Sequence, residues 1–346
     1  MADAAPWFFL FFSLASLGAI HVSTAAFRLL AHLALCLRRP RDLRRRYGTW
    51  AVVTGPTSGI GRSMAMELAG RRGLNLVLVG RDPAKLREIS TEICRTHAVQ
   101  TKTVLFDFSL VSTAQGEKAM ARLREAVEGL DVGVLVNNAG IAKPGAVYFH
   151  EVDVEAWARM IRVNVLALTD VTAAVVPGMA QRGRGAIVNI GSGSASLLPS
   201  YPLYSVYAGT KRYVAEFSRS LSVEYGSRGI DVQCQVPFLV QTNMVSSALK
   251  STFLQQFVVP ADAYAQAAVR WIGHGAVCVP SVPHRMQWFF AGCWPESVYD
   301  AARLEQHQKQ RAIFRKIRPW RKTVGNSAKD GRVATDDKIG SGVRSE

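Results

Sequence analysis

The chain has 346 residues, of which 49% are hydrophobic and 20% are charged, a balance that suits one sizeable α/β domain with extensions at its ends. Its formal net charge is +16, but the excess lies in residues 38–46 and in the tail after Gln308, without a nucleic-acid-binding motif or interleaved aromatic and basic residues. We therefore exclude nucleic acid as the partner and expect the basic segments to meet anionic headgroups or solvent.

The N-terminal segment has the composition of a membrane anchor. Residues 7–27 contain no Asp, Glu, Lys or Arg, and about 20 apolar residues suffice to cross a bilayer. Arginines dominate residues 38–46, and such a cluster favours the cytosolic side of a membrane. The alternative is a cleaved signal peptide, which the lack of basic residues over 1–6 disfavours. We predict a membrane anchor and basic linker over residues 1–47, with the rest of the chain in the cytosol.

Strand-like apolar runs alternate with helix-length segments after this linker. They cover residues 50–53, 74–79, 102–106, 132–136, 186–190 and 230–236, and a further run lies near 276–280. Strands that alternate with helices form a parallel sheet covered by helices on both faces. The sequence therefore predicts a doubly wound parallel α/β domain of about seven strands over residues 48–300.

A glycine-rich turn connects the first strand of this domain to its first helix. The segment Thr54-Gly55-Pro56-Thr57-Ser58-Gly59-Ile60-Gly61 has the spacing G-x-x-x-G-x-G. Between a strand and a helix, the backbone N–H groups of such a turn and the helix dipole bind a pyrophosphate. The alternative is a turn that needs glycines only for tight packing of strand on helix.

The second strand ends in Gly80 and Arg81, where a cofactor with a free ribose 2′-hydroxyl usually meets a carboxylate. A guanidinium at this place suits a 2′-phosphate instead, so Arg81 predicts NADP(H). Lys85 either assists Arg81 or is a solvated helix residue. Asp82 is either the N-cap of a helix over residues 83–97 or a ribose ligand, and we favour the N-cap.

Tyr207 and Lys211 stand four residues apart in a helix-length segment, so their side chains share one helix face. An unperturbed tyrosine has a pKa of about 10. A neighbouring cation lowers this pKa, which makes the phenol a proton donor near neutral pH. The pair becomes significant only beside other motifs, because a surface tyrosine near a lysine is common. Tyr204 lacks such a partner, since Ala208 follows it at the same spacing.

Five motifs in a fixed order resemble the short-chain dehydrogenase/reductase family. They are the glycine-rich turn, Asn137-Asn138-Ala139-Gly140 after the fourth strand, Asn164, the serines at 192 and 194, and Tyr207 with Lys211. The resemblance covers residues 48–245 and implies a Rossmann-type fold. It is strongest to the plant-type microsomal very-long-chain 3-oxoacyl-CoA reductases, which share an Arg-Arg-Arg-Tyr-Gly lead-in like that at residues 44–48.

The resemblance implies a role for each of these residues. Tyr207 would donate a proton to the substrate carbonyl, and a serine would hydrogen-bond the carbonyl oxygen. Lys211 would bind the nicotinamide ribose and lower the pKa of Tyr207, while Asn164 would hold a water between Lys211 and solvent. The implied cofactor-binding residues are Gly55, Ser58, Gly59, Ile60, Gly61, Arg81, Asp107 (at the adenine), Asn138, Ala139, Gly140, Tyr207, Lys211, Val240 and Thr242.

Two departures from the family pattern affect the site. The family's serine commonly stands 13 residues before the tyrosine, where Ser194 lies, whereas the local pattern N-I-x-S-G-S aligns Ser192 and requires an insertion over residues 198–202. We favour Ser192 and keep Ser194 as the alternative. The usual Pro-Gly of the nicotinamide loop is Pro237-Phe238 here, so this backbone must avoid positive φ or form another turn.

The resemblance implies reduction of a very-long-chain 3-oxoacyl-CoA by NADPH in fatty-acid elongation, at the cytosolic side of the endoplasmic reticulum membrane. The implied partners are long-chain acyl-CoA, the membrane, proteins of an elongase complex and a second copy of the chain. Two other functions stay open. One is a 17β-hydroxysteroid or other lipid-ketone dehydrogenase, which fold and triad do not distinguish. The other is a weakly active NADPH-binding scaffold of an elongase complex.

The C-terminal region adds an aromatic patch and a basic tail. Residues 288–294 are rich in aromatics but too short to span a membrane, so they either pack around the substrate pocket or touch the membrane surface. We predict that residues 301–346 form a basic tail that is disordered from residue 325 onward. The seven histidines and five cysteines show no metal-ligand spacing, so we expect no metal site.

Overall fold

The computed structural model describes residues 5–37, 40–196, 199–242, 258–291 and 295–317. Its helices are α1 (Ala5–Leu37), α2 (Leu43–Arg46), α3 (Gly59–Gly70), α4 (Pro83–Thr96), α5 (Ala114–Val127), α6 (Val154–Ile161), α7 (Ala167–Arg182), α8 (Gly193–Ser196), α9 (Ser205–Gly226), α10 (Ala261–Arg270), α11 (Val282–Ala291) and α12 (Glu296–Ile317). Its strands are β1 (Trp50–Thr54), β2 (Asn75–Gly80), β3 (Thr101–Leu105), β4 (Val132–Asn137), β5 (Gly185–Ile190), β6 (Ile230–Gln235), β7 (Val240–Gln241), β8 (Val259–Pro260) and β9 (Val277–Cys278).

Seven strands form one parallel sheet in the order β3-β2-β1-β4-β5-β6-β9, and β7 pairs separately with β8. This confirms the predicted doubly wound sheet and its number of strands. The chain winds outward from β1 in one direction and from β4 in the other. A crevice therefore opens at the carboxyl ends of these two neighbouring strands, which is where ligands bind in such sheets.

Helices cover both faces of the sheet, which is why its strands are continuous apolar runs rather than alternating ones. On β1, Ala51 and Val53 belong to the core layer with α3, α4 and α10, whereas Val52 belongs to the layer with α5 and α7. All three side chains are fully buried. Successive residues of a strand point to opposite faces, so one short apolar run supplies both layers.

Helix α1 contains the candidate membrane span. Its stretch Trp7–Phe27 is long and apolar enough to cross a bilayer, and none of it is buried inside the protein. A second stretch, Val154–Arg182, passes the same test of length and composition, but it is half buried and belongs to the core of the domain. The exposure of the first stretch matches the predicted anchor.

Residues 40–47 pack against the domain instead of standing apart from it. Tyr47 is 1% exposed, and its hydroxyl donates a hydrogen bond of 2.6 Å to Asp231 near the start of β6. Arg41 and Arg46 each lie 3.4 Å from the same carboxylate. The end of the basic linker is thus bound to the sheet at the amino ends of its strands, opposite the end where the crevice opens.

Tyr47→Phe should destabilise the protein by about 2 kcal/mol, because a buried hydrogen bond to a charged group contributes about 1.5–3 kcal/mol. Urea unfolding of detergent-solubilised protein, followed by tryptophan fluorescence, measures the change. Tyr225→Phe is the matched control, since this half-buried ring lies beneath the surface residue Arg228. Equal stabilities of the two variants would contradict the prediction.

Helix α12 crosses the predicted domain boundary at residue 300 and packs on two loops of the domain. His307 is 1% exposed, and its Nδ1 donates a 2.7 Å hydrogen bond to the carbonyl oxygen of Pro202. Arg311 pairs with Glu151. The first part of the predicted tail is therefore bound to the domain. Residues 318–346, with the predicted disordered end, and residues 292–294 of the aromatic patch lie outside the described residues.

Candidate active site

The glycine-rich turn adopts a conformation that other residues rarely allow. Gly55 and Gly59 have φ angles of +63° and +53°, in the left-handed region. A Cβ on Gly61 would lie 2.2 Å from Asn138 Nδ2 and 2.3 Å from the carbonyl oxygen of Gly55. Because α3 begins at Gly59, its first N–H groups and the positive end of its dipole border the crevice. The turn has the geometry of a pyrophosphate site.

The segment after β4 is fastened to the end of β1. Thr54 Oγ1 accepts hydrogen bonds of 3.0 Å from the backbone N–H groups of Asn138 and Ala139. Asn138 Nδ2 donates to the carbonyl oxygens of Thr54 and Gly55 at 3.0 and 3.1 Å. These bonds place the predicted residues Asn138, Ala139 and Gly140 in the wall of the cleft.

Arg81 and Asp107 lie at the carboxyl ends of β2 and β3, and both line the same cleft. Asp107 Oδ1 also accepts hydrogen bonds from Ser109 N and Oγ, at 2.9 and 2.8 Å, which shapes the turn after β3. Asp82 caps α4 by accepting from the backbone N–H of Lys85 at 3.1 Å, so its N-cap assignment is confirmed. The Lys85 ammonium lies 3.7 Å from Asp82.

Tyr207 and Lys211 lie one turn apart near the start of α9, and with Ser192 they line the cleft. Lys211 is 6% exposed, and its Nζ donates to the carbonyl oxygen of Ile190 at 2.8 Å. Ser192 Oγ lies 2.8 Å from Ser194 Oγ and accepts a 3.2 Å hydrogen bond from Ser194 N. Ser194 is buried behind Ser192. The geometry therefore favours Ser192 as the serine that meets a substrate.

The enclosed site shifts the pKa values of both groups on α9. Burial raises the pKa of Tyr207 to about 12, while the bond to Ser192 lowers it and the nearby Tyr201 raises it. Burial lowers the pKa of Lys211 to about 8. Burial is the largest of these effects on Tyr207, and the lowering of its pKa by Lys211 stays a prediction. Tyr207 is held in the protonated form, which is the form that donates to a carbonyl.

Asn164 lies in a π-helical turn, Arg162–Leu166, between α6 and α7. Its Oδ1 accepts from Ile141 N at 2.8 Å, and its Nδ2 donates to Ile141 O at 2.9 Å and to Thr210 Oγ1 at 3.1 Å. The side chain thus joins the loop after β4 to α9, beside Lys211. Turns of this kind often occur at functional sites. The water relay at Asn164 stays a prediction.

The loop after β6 completes the cleft. Val240 and Thr242 line it, and a Cβ on Gly59 would lie 2.8 Å from Thr242 Cγ2, so this loop reaches the glycine-rich turn. Phe238 also lines the cleft. Among the described non-glycine residues, Leu203 alone has a positive φ. The Pro237-Phe238 backbone therefore avoids positive φ, which was one of the two expected solutions.

Two parts of the site were missed by the sequence analysis. Arg159 lines the cleft one helical turn before Val163, a spacing that becomes informative only when the helix face is known. Tyr201 and Tyr204 pack on His307 of α12, with ring centroids 4.5 and 5.0 Å from the imidazole. These rings lie near Tyr207 and bring together distant parts of the chain. No local sequence pattern predicts a contact between residues so far apart in the chain.

The residues present fit a nicotinamide dinucleotide phosphate. The turn offers N–H groups and a helix dipole to a pyrophosphate, Arg81 offers a guanidinium to a phosphate, and Tyr207 lies along the same cleft. The described residues contain no cluster of three or more His, Cys, Asp or Glu side chains suited to a metal ion. Fold and site together define a dinucleotide-dependent oxidoreductase of the doubly wound α/β class.

The chain belongs to the short-chain dehydrogenase family, whose model, described as "short chain dehydrogenase", matches residues 49–252. It is 46% identical to a very-long-chain 3-oxoacyl-CoA reductase-like protein of Arabidopsis thaliana, over 80% of this chain and 86% of that protein. It is 38% identical to a Homo sapiens protein named inactive hydroxysteroid dehydrogenase-like protein 1, over 74% and 75% of the two chains. It is 37% identical to a very-long-chain 3-oxoacyl-CoA reductase of Anas platyrhynchos, over 78% and 83%.

A solved structure supports the same assignment. The short-chain dehydrogenase of Sphingobium yanoikuyae in complex with NADPH has a TM-score of 0.59 and 27% identity, and the match covers 80% of this chain and 98% of that one. The predicted family and the Rossmann-type fold are confirmed.

Proposed function

We propose that this protein uses NADPH to reduce a very-long-chain 3-oxoacyl-CoA to the 3-hydroxyacyl-CoA, as in fatty-acid elongation. One observation carries the proposal: Ser192, Tyr207 and Lys211 line the same cleft, which begins at the glycine-rich turn. Relatives named very-long-chain 3-oxoacyl-CoA reductase support the substrate class.

Each side chain of the cleft has a separate role in the reduction of a ketone. When bound, NADPH supplies the hydride for the β-carbon. Ser192 donates a hydrogen bond to the carbonyl oxygen and stabilises the negative charge that develops there. Tyr207, kept protonated by burial, gives its proton to the same oxygen. Lys211, with a pKa of about 8, lies one turn away to replace that proton through the predicted Asn164 water.

The proposed setting is the cytosolic side of the endoplasmic reticulum membrane. The exposed apolar stretch Trp7–Phe27 supports an anchor, and a long acyl chain is itself a lipid-soluble substrate. We further propose that proteins of an elongase complex and a second copy of the chain are partners. Both follow from the family resemblance.

Arg81→Ala should raise the KM for NADPH by about 10- to 100-fold and leave the KM for NADH nearly unchanged, because an arginine–phosphate pair contributes about 1.5–3 kcal/mol. Initial rates with both cofactors measure the effect. Lys85→Ala is the matched control, since Lys85 is a nearby cation in the first turn of α4 whose ammonium lies 3.7 Å from Asp82. A parallel change with NADPH and NADH would show that Arg81 does not bind the 2′-phosphate.

The decisive experiment follows NADPH oxidation by detergent-solubilised, full-length protein over 3-oxoacyl-CoAs of increasing chain length. A steroid ketone is assayed in parallel. Turnover of the long acyl-CoAs that depends on Tyr207 would support the proposal, and the length profile would measure the depth of the pocket. If only the steroid is reduced, the proposed substrate changes from an acyl-CoA to a steroid or other lipid ketone.

A second candidate function is a cofactor-binding protein with little turnover. The 38% identity to a relative named as an inactive dehydrogenase favours it. Such a protein would bind NADPH but reduce none of these substrates, and Tyr207→Phe would have no effect in cells. The intact Ser192, Tyr207 and Lys211 favour the enzyme.

A further inference from the structure

A buried imidazole holds the loop that follows β6. His284, near the start of α11, is fully buried. Its Nδ1 lies 3.4 Å from the Phe238 N–H, and its Nε2 lies 3.2 Å from the carbonyl oxygen of Leu239. A backbone N–H only donates and a carbonyl only accepts, so the imidazole is neutral and carries its proton on Nε2. One side chain thus satisfies backbone groups of two consecutive residues of the loop, the Phe238 N–H and the Leu239 carbonyl.

The Phe238 side chain is held from two sides. Its ring centroid lies 5.8 Å from that of His284. On the other side it packs on Gly193, where a Cβ would lie 2.9 Å from Phe238 Cδ1. Gly193 N also donates to the carbonyl oxygen of Pro237 at 2.8 Å. Phe238 therefore lies between α11 and the residue that follows Ser192.

These contacts replace what a glycine would otherwise provide. A glycine after Pro237 can turn the backbone through positive φ at no steric cost, whereas Phe238 cannot do so cheaply. The path of the loop is instead set by hydrogen bonds from outside it. Two come from His284, and a third of 3.0 Å joins Val259 N to Leu239 O.

We propose that His284 is a positioning residue for the nicotinamide side of the cofactor site. It acts through the loop at residues 238–240, of which Phe238 and Val240 line the cleft. The inference rests on the proposed NADPH-dependent function. A displacement of this loop changes the angle at which nicotinamide meets the substrate, and such errors are costly in a hydride transfer. The adenosine side of the site, at Arg81 and the glycine-rich turn, does not depend on His284.

The test compares two ligands that share the adenosine side. One is NADPH, and the other is 2′-phospho-ADP-ribose, which lacks the nicotinamide. Their affinities for full-length, detergent-solubilised protein are measured by calorimetry. His284→Leu removes both hydrogen bonds at similar volume. His284→Asn and His284→Gln each place an amide where one of the two ring nitrogens lies. His307→Leu is the matched control, a buried histidine with a backbone carbonyl partner outside this loop.

We expect His284→Leu to weaken NADPH about tenfold or more, since two hydrogen bonds of about 1 kcal/mol each are lost, and to change 2′-phospho-ADP-ribose less than about twofold. The Asn and Gln variants should fall between, and His307→Leu should leave the ratio of the two affinities unchanged. If His284→Leu changes the affinities for both ligands equally, or changes neither, the proposal is overturned. If the Leu variant does not fold, the same comparison is made with the Asn and Gln variants. If the unaltered protein fails to bind NADPH, both this inference and the proposed function fall. If NADPH binds but no acyl-CoA is reduced, only the substrate assignment fails.

Discussion

Tyr207→Phe should reduce kcat with a 3-oxoacyl-CoA by about 10³-fold, within the range of about 10²–10⁴ that a positioned general acid contributes. The substitution removes the proton donor but keeps the ring that packs in the cleft wall. NADPH affinity should change far less than kcat, because the proton transfer depends on the phenol whereas Lys211, Arg81 and the glycine-rich turn remain to bind the cofactor. Steady-state kinetics and NADPH titration of the same preparation measure the two quantities.

The chain offers a matched control for this variant. Tyr204 is the N-cap residue of α9, three residues before Tyr207. Its hydroxyl is 3.4 Å from Gln310 Oε1 of α12. Tyr204→Phe removes a hydroxyl of the same kind from the same helix end, and we expect it to lower kcat by less than about tenfold, as a lost neutral hydrogen bond would. A Tyr207→Phe variant that kept a tenth of the activity would show that another group delivers the proton.

The parts of the fold that could be predicted are those that local sequence determines. The glycine-rich turn requires positive φ at Gly55 and Gly59, so its residue types are visible without the structure. The strands were visible because both faces of the sheet are buried, which turns each strand into one apolar run. The spacing of Tyr207 and Lys211 is likewise a property of one helix.

Other parts of the site depend on contacts between distant segments. His284 and His307 looked like unremarkable histidines in the sequence, yet each is buried and bonded to a backbone carbonyl of a loop beside the cleft. The arginines at 41 and 46 were predicted to be part of a linker, but in the structure both form ion pairs with Asp231 on β6. The sequence favoured Ser192 over Ser194 although the residue count and the local pattern disagreed, and the structure adds that Ser192 lines the cleft while Ser194 is buried.

Acid should destabilise the protein through these two buried histidines. Burial lowers the pKa of His284 to about 4, against the opposing bond to Leu239. Burial lowers the pKa of His307 to about 4 as well, and the charge of Arg303 adds to this effect. A histidine in the unfolded chain has a pKa of about 6.5. Between these values the unfolded state binds more protons, so stability is present above pH 6.5 and is lost as the pH falls toward 4.

The size of the effect follows from the shift. Each histidine contributes nearly one proton to the difference around pH 5, or about 1.4 kcal/mol per pH unit, and about 3 kcal/mol over the whole window. Replacing His307 with Asn keeps an N–H donor for the carbonyl of Pro202 but removes the titration. The slope of unfolding free energy against pH should then fall by about 1.2 kcal/mol per unit near pH 5. His150→Asn, at an exposed position, is the control and should leave the slope unchanged.

Protonation of carboxylates such as Glu151, whose pKa is lowered by its backbone bond and by Arg311, also destabilises the protein in acid. This contribution to the slope is the same in every variant, so it cancels when two slopes are compared. Equal slopes for His307→Asn and the unaltered protein would show that His307 is accessible to protons in the folded state. His284 is bonded to the loop at 238–239, and His307 is bonded to the carbonyl oxygen of Pro202. Because both histidines stay neutral in the folded protein until the pH nears 4, loosening of the loop at 238–239 and the resulting fall in NADPH affinity should appear only near that pH, at the acid end of the range over which stability is lost.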